Sequence, residues 1–334
     1  MRPAREFLEI CKNNAKRNLK WHYEYGSLPL KPSVQKEIID LLLGMSQDET
    51  WAQYLSDSAL NQRLLADSFE VSIISDLEKK VRPEHLSILK SCIIGIVPLG
   101  FVNAHVRRTD NFGQPLDRFV IFINYGLYLA CSALADALTF ENLQGDFADF
   151  RRSGQPYFNC AVKSYIDHKA FDDYQLPLHE YPPHISAAIM EQSGRLTAIM
   201  LQFIVLHEFG HIINGDLGDQ DSEMNLSPSG LELKLDAQPG KRREIGADLY
   251  AIETLSDWEG SSPSAWPNFA QAYYFFRWLE VVEEHRQQSS PSHPPASMRK
   301  QCIANRARKL ARHAPADDYI LIIENMIESW RNIL

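Results

Sequence analysis

Residues 196–214 read LTAIMLQFIVLHEFGHIIN and form the most regular apolar stretch of the chain. Apolar side chains recur three and four positions apart, which is the spacing of one face of an α-helix. The regular pattern begins after a double proline, at about Ser186, with Gly194 as a possible interruption. Asn214 and Gly215 are residues that commonly end helices. The sequence therefore predicts a long helix from about Ser186 to Asn214.

Two histidines lie on the predicted core-facing side of this helix. His207 and His211 are four positions apart, which is about 400° of rotation, so both imidazoles point to nearly the same side and can meet one cation. Glu208 is rotated by about 100° from His207 and can stand beside the cation as a base. The alternative is a pair of buried core histidines with ordinary hydrogen-bond partners, since short motifs recur by chance.

A catalytic zinc ion usually has three protein ligands and one exchangeable position, so two histidines do not complete a site. The metzincin pattern would require glycine at position 214 and histidine at position 217, but the chain has Asn214 and Leu217. Residues 243–255, REIGADLYAIETL, instead offer Glu244 and Asp248 four positions apart. Glu244 can bind the cation from a second helix, and Asp248 can accept the other N–H of a ligating histidine. The alternative is a solvated acidic face that balances neighbouring basic residues.

The motifs HEFGH, EIGAD and SHPPASMR begin at positions 207, 244 and 292. In this order they resemble those of the gluzincin metallopeptidases, most closely of the CAAX-prenyl-protease and heat-shock HtpX-like branch. The likeness covers about Phe119 to Arg299 in loose form, and its motifs are specific only in combination. It implies a zincin-like fold, peptide-bond hydrolysis and a bound Zn2+ ion. The implied residues are His207, His211 and Glu244 as zinc ligands, Glu208 as general base, and Asp248 as the partner of a ligand.

The same resemblance implies roles for two residues of the third motif. His293 would lie near the substrate carbonyl and stabilise developing negative charge, and Arg299 would anchor that segment. The alternative is that HPP only forms a turn after a serine-rich linker. Phe119 to Leu127, FVIFINYGL, could supply an edge strand that pairs with an extended peptide. An ordinary buried strand fits that pattern equally well.

The chain departs from this branch because it lacks convincing membrane-spanning segments. Leu196 to Ile213 is interrupted by the HEFGH motif, and Ser91 to Val102 is too short and contains Pro98, whereas a spanning helix needs about 20 largely apolar residues. A soluble protein with a helical N-terminal region also looks somewhat like the phage-exclusion proteases, although no specific motif carries that comparison.

Charge and cysteine usage narrow the classes of function. Lysine and arginine total 34 against 43 acidic residues, for a net charge of −9, which argues against a broad attraction to nucleic acid or anionic lipid. The five cysteines are widely spaced and form no CxxC pair, which argues against a disulfide framework and a cysteine-rich zinc site. The N-terminus has no apolar core of a signal peptide. We therefore expect a cytoplasmic protein without a nucleic-acid or membrane partner, and the resemblance implies a protein or peptide substrate.

The chain is predicted to be a mostly helical α+β protein in two parts. Residues 1–90 would form a helical N-terminal region, and residues 91–334 a zincin-like metallopeptidase domain that contains the active-site helix and a small antiparallel sheet. The strands of that sheet are predicted at Gly100–Arg107 and Arg118–Asn124, on either side of the turn-rich sequence TDNFGQPLD.

Helical periodicity also appears outside the HEFGH segment. The proline-punctuated interval from Glu141 to Pro183 is predicted to be irregular, and Asp216 to Gly240 to be a loop or lid. Further helices are predicted at Gly126–Leu138, Arg242–Leu255, Phe269–Glu284, Met298–His313 and Asp317–Ile333.

A competing hypothesis from another class is a regulatory or interaction protein that keeps the helix pair as a structural zinc site. Such a site has no need of a base, so the presence of Glu208 favours the enzyme. The sequence therefore predicts a zinc-dependent endopeptidase, with regulation or phage defence as the biological settings that fit it.

Overall fold

The computed structural model describes residues 73–97, 102–108, 119–143, 152–167, 181–217, 239–256, 268–287, 293–310 and 316–331. Two predictions therefore lie largely outside the described residues. They are the helical character of residues 1–72 and the loop or lid, of which residues 218–238 are not described.

The described residues form a mostly helical α+β structure, as predicted. Helix α1 covers residues 73–80 and is followed by a short 3-10 turn at Pro83–His85. The remaining elements, in chain order, are α2 Leu86–Ser91, β1 Ile93–Val97, β2 Ala104–Arg108, β3 Phe119–Asn124, α3 Tyr125–Glu141, α4 Gln155–Asp167, α5 Pro183–Ile213, α6 Pro239–Ser256, α7 Asn268–Arg286, α8 Ala296–Leu310 and α9 Ala316–Arg331.

The sheet has three strands in the order β1-β3-β2 and is mixed. The predicted antiparallel pair is confirmed, since β2 runs antiparallel to β3 with Val106 opposite Ile121. The prediction of an all-antiparallel sheet is wrong, because β1 pairs with β3 in parallel with Ile94 opposite Ile121. The run IIGIV of β1 is apolar at nearly every position, and so short a run shows no period that separates a buried strand from a helix.

The expectation that Phe119 to Leu127 supplies an edge strand is also wrong. Strand β3 occupies the centre of the sheet and is paired on both sides, so its backbone groups are already used in the ladders. From Val120 to Asn124 every residue of β3 is buried. The strand therefore follows the pattern of an ordinary core strand, and α3 begins directly after it at Tyr125.

Helix α5 is the central helix of the core and spans 31 residues. It is apolar on nearly all sides, which is the pattern of a helix surrounded by protein. From Leu201 to Ile212 every residue is buried. Among the described residues, its segment His184–Ile213 is the one helix long and apolar enough to cross a membrane, and 78% of its most apolar window is buried inside the protein. The core therefore accounts for its apolar character without a bilayer.

Helix α4 corrects the prediction that Glu141 to Pro183 is wholly irregular. It begins at Gln155, so Pro156 lies in the first turn, where a helix tolerates the missing N–H group. The start of the helix is close to α3, because a Cβ atom on Gly154 would lie only 2.2 Å from the backbone oxygen of Ala137. Phe158 buries its ring in the core. The prolines of this interval therefore do not prevent a helix.

The described end of the predicted N-terminal region contributes to the same core as α5. Ile73, Leu77 and Leu89 are buried in one apolar cluster with the residues of that helix. In addition, Lys80 donates a hydrogen bond to Gln202, which is a buried polar side chain of α5. The residues before position 90 that the structure describes thus share a core with α5, and the proposed division at residue 90 stays a prediction.

Candidate metal centre

Small residues let α5 and α6 approach each other at the HEFGH motif. A Cβ atom on Gly210 would lie 3.0 Å from Cα of Ala247, so the helix backbones touch at this point. Gly246 is also close to the neighbouring helix, since a Cβ atom there would lie 3.2 Å from Nδ2 of Asn214. The glycines and the alanine of HEFGH and EIGAD therefore bring Glu244 to the two histidines.

His207, His211 and Glu244 meet at one point between the two helices. Their candidate ligand atoms all lie within 4.8 Å of one another. Nε2 of His207 is 3.3 Å from Nε2 of His211. The carboxylate oxygens of Glu244 lie 3.5 Å from Nε2 of His207 and 3.6 Å from Nε2 of His211. The arrangement predicted for the three ligands is thus the one found, and the group could hold a metal ion.

Asp248 lies behind His207, as the second-helix motif suggested. Its Oδ1 is 2.8 Å from Nδ1 of His207, and the residue is fully buried. Arg299 donates two hydrogen bonds of 2.7 Å to the same carboxylate, one to each oxygen. The guanidinium also lies over the ring of Phe276, 4.5 Å from its centre. Arg299 therefore holds Asp248 in place and balances its charge, and Asp248 fixes the ring of His207.

Sequence reasoning missed a second carboxylate that contacts a ligand. Oδ2 of Asp216 is 2.9 Å from Nδ1 of His211. Asp216 follows Gly215, which has a positive φ of 73° and so ends the helix and turns the chain back. The signal that could have revealed this contact is the order of a helix-ending glycine and an acid shortly after His211.

In their neutral forms, the two imidazoles could bind a cation at this point. If each Nδ1 donates its proton to a carboxylate, each Nε2 presents a lone pair. The two lone pairs and the Glu244 carboxylate then face the same small volume and repel one another. Moreover, Oε2 of Glu244 is buried and has no hydrogen-bond partner among the described residues. A buried carboxylate oxygen without a hydrogen bond is costly, and a bound cation would reduce that cost, so the residues fit a metal ion.

Charges and hydrogen bonds within this group shift the pKa values of its members. Burial lowers the pKa of His207, but its hydrogen bond and charge interaction with Asp248 outweigh burial and raise it to about 9. Burial raises the pKa of Asp248, but the charge and hydrogen bonds of Arg299 and the contact with His207 together outweigh burial and lower the pKa to about 2. Burial likewise raises the pKa of Glu244, and its interaction with His207 reverses the shift to a lowered value. A proton on His207 thus takes part of the role that a cation would have.

Glu208 is buried beside the ligands, with 8% of its surface exposed. Burial raises its pKa, against the opposing charges of His207 and His211. A carboxyl group with a raised pKa is better suited to accept a proton near neutral pH than an exposed one. Glu208 is therefore placed, by position and by environment, as the candidate base.

His293 lies at the open side of the ligand group. Its Nε2 is 3.4 Å from Oε2 of Glu244, and 45% of its side chain is exposed. Burial lowers its pKa, and Glu244 partly offsets the shift. The SHPPASMR motif thus lies beside the HEFGH and EIGAD motifs, because His293 contacts Glu244 and Arg299 contacts Asp248.

No protein-family model, curated protein or solved structure matches this chain.

Proposed function

We propose that this protein is a zinc-dependent endopeptidase of the gluzincin type, with a zincin-like catalytic domain. The observation that carries the proposal is the convergence of two imidazole nitrogens and a buried carboxylate oxygen without a hydrogen bond among the described residues, beside a buried glutamate. Two nitrogens and one oxygen are a common ligand set of catalytic zinc, in which a fourth position stays open. A softer or harder cation would favour more sulfur or more oxygen ligands.

In this proposal His207, His211 and Glu244 hold the zinc ion. When bound there, zinc supplies a Lewis acid that polarises the scissile carbonyl and makes a water molecule more acidic. Glu208 accepts the proton of the attacking water and returns it to the leaving amine. Burial raises the pKa of Glu208, which favours its acceptance of that proton.

The remaining residues of the site position groups and balance charge. Asp248 fixes the ring of His207, and Arg299 fixes Asp248 through two hydrogen bonds. His293 is partly exposed on the open side of Glu244, where its ring can donate a hydrogen bond to the substrate carbonyl as negative charge develops. The roles that the family resemblance implies for Asp248, His293 and Arg299 are thus consistent with the contacts of these residues.

We place the activity in the cytoplasm, on protein or peptide substrates. The charge balance favours neither nucleic acid nor anionic lipid as a partner. The widely spaced cysteines, which form no CxxC pair, suit a reducing compartment. Regulation or phage defence is the biological setting that we propose, from a general likeness to the phage-exclusion proteases.

The competing function is a regulatory protein with a structural zinc site, and Glu208 separates the two. The experiment is a proteomic map of new peptide termini in cells that express the full chain, the Glu208→Gln variant or the Glu191→Gln variant. Glu191 is an exposed glutamate of the same helix, so it serves as the matched control. Zinc content is measured on each purified protein.

We expect new termini with the wild-type chain and with Glu191→Gln. They should be reduced by about 100-fold or more with Glu208→Gln, the range that loss of a general base produces, while zinc content is unchanged. Identical termini in wild-type and Glu208→Gln cells would reject Glu208 as the base. Zinc in all three proteins without new termini would favour the structural protein.

A further inference from the structure

We infer that Asp216 is a positioning residue of the metal centre, which acts by holding the ring of His211. The inference rests on the proposed zinc site and adds a residue that neither the motifs nor the resemblance assigns. Oδ2 of Asp216 lies 2.9 Å from Nδ1 of His211, and only 12% of the Asp216 side chain is exposed. Since the other ring nitrogen, Nε2, faces Glu244, the contact fixes which nitrogen is offered to the metal ion.

The backbone at the end of α5 sets the position of this carboxylate. Gly215 adopts a positive φ of 73°, and its N–H donates to the carbonyl of Ile212 at 3.1 Å. The N–H of Asp216 donates to the carbonyl of His211 at 2.9 Å. This pair of bonds is the Schellman motif, a common helix ending. It returns the chain so that residue 216 lies next to residue 211.

The identity of the side chain at position 216 is not demanded by this helix ending. Both hydrogen bonds of the motif are made by main-chain atoms. In many Schellman motifs the side chains at the positions of His211 and Asp216 are apolar and contact each other. In this chain a hydrogen bond between carboxylate and imidazole takes the place of that apolar contact. The helix ending does not require a carboxylate at position 216. The contact with His211 accounts for it.

Each of the two ligand histidines contacts a carboxylate through Nδ1, and the two carboxylates come from different parts of the fold. His207 is held through Nδ1 by Asp248 of α6, and His211 through Nδ1 by Asp216 at the end of its own helix. The two rings are nearly perpendicular, at 86°, with centres 4.8 Å apart. With both rings held in place, the two Nε2 atoms face the same point. The side chains then lose less conformational entropy when a metal ion binds.

Arg243 connects this carboxylate to the helix of the third ligand. Its Nε lies 3.8 Å from Oδ1 of Asp216, and it directly precedes Glu244. Asp216 thus has one oxygen toward His211 and the other toward α6. The end of α5 and the start of α6 are joined here, next to the metal ligands on both helices.

The test measures zinc affinity and the melting temperature of the metal-free protein for wild type, Asp216→Ala, Asp216→Asn and a control, Asp317→Ala. Asp317 is an exposed acid that pairs with Arg308 at 2.7 Å, far along the chain on α9. Zinc dissociation constants come from competition with a chromophoric chelator. The absorption spectrum of bound Co2+ reports the geometry of the ligands independently of overall stability.

We expect Asp216→Ala to weaken zinc binding by about 10- to 100-fold, the range typical for loss of such a partner, and to alter the Co2+ spectrum. Asp216→Asn should lie between Ala and wild type, because it keeps an acceptor but not the charge. If Asp216→Ala does not fold, the Asn variant carries the test, with a loss of at least about threefold expected. The control should match wild type in affinity and spectrum.

Zinc affinity within about twofold of wild type for the folded Asp216 variants, with an unchanged Co2+ spectrum, would overturn the inference while leaving the proposed metal centre intact. Failure of the wild-type protein itself to bind zinc would overturn both. A wild-type protein that binds zinc but cleaves nothing would remove only the peptidase proposal, and the affinity comparison would still decide the role of Asp216.

Discussion

At the scale of single residues, the candidate metal centre contains charged groups, and burying any one of them alone would be unfavourable. Glu244 has a buried oxygen without a hydrogen bond among the described residues, and Asp248 is a fully buried carboxylate. Arg299 makes two hydrogen bonds to Asp248, whereas its guanidinium lies 3.9 Å from that oxygen of Glu244. A metal ion between Glu244 and the histidines would complete the balance of charge.

Another buried carboxyl group, Asp136, lies outside this centre and gives a prediction on pH. Asp136 is on α3 and accepts a hydrogen bond from Ser193 of α5. Burial raises its pKa from 3.8 to about 7, and the hydrogen bond from Ser193 only partly offsets this. The folded protein therefore keeps this proton up to a higher pH than the unfolded chain. Its contribution to stability is present at low pH and is lost as the pH rises through about 7.

We expect Asp136→Asn to remove this dependence. The free energy of unfolding of the variant relative to wild type should increase by about 2 to 3 kcal/mol between pH 5 and pH 8, because the buried side chain no longer ionises. Urea unfolding at both pH values, with chelator present for both proteins, measures the difference. Equal changes in the two proteins would show that Asp136 does not titrate in this range.

Several residues of the centre could be predicted from the sequence because helical spacing places them. His207 and His211 are four apart on one helix, and Glu244 and Asp248 are four apart on another, so each pair shares a side. Asp216 could not be predicted in the same way, since its position depends on the turn made by Gly215. That turn reverses the chain over two residues, and periodicity carries no information about it.

At the scale of elements, the crossing of α5 and α6 decides whether the ligands meet. Gly210 is at the contact, and a Cβ atom there would lie 3.0 Å from the backbone of Ala247. The backbone of a packed helix cannot rotate away as a side chain can. Any side chain at position 210 therefore moves the two helices apart, together with Glu244.

Gly210→Ala and Gly194→Ala form a matched pair on the same helix. A Cβ atom on Gly194 would meet nothing within 4 Å, so Gly194→Ala should stabilise the protein by about 0.5 to 1 kcal/mol through helix propensity. Gly210→Ala should destabilise it by about 1 to 3 kcal/mol through overpacking and should weaken zinc binding. Denaturant unfolding and chelator competition measure both effects. Equal stability gains in the two variants would contradict the close crossing.

The elements themselves were predictable where their pattern is long. The long helix α5 and the α6 to α9 helices lie within a few residues of the predicted ranges. Strand β1 is not predictable from its five-residue run, because so short a run has no distinguishing period. Helix α4 is not predictable from the proline content of its interval, because Pro156 lies in the first turn, where a helix tolerates proline. The order of the strands depends on tertiary contacts, so local sequence could not place β3 at the centre.

At the scale of the whole molecule, the centre draws on distant parts of the chain. The candidate ligands come from α5 and α6, Asp248 is held by Arg299 of α8, and that guanidinium lies over Phe276 of α7. Four helices are thus connected through one cluster of charges. Binding of an ion to the folded form alone would stabilise this arrangement as a unit.

A crystal of the full chain grown with zinc, with anomalous differences recorded on both sides of the zinc absorption edge, tests the central claim most directly. The account predicts one strong zinc peak at about 2.0 to 2.2 Å from Nε2 of His207, Nε2 of His211 and a carboxylate oxygen of Glu244. A well-ordered site that lacks this peak, or a zinc ion bound without Glu244, would contradict it.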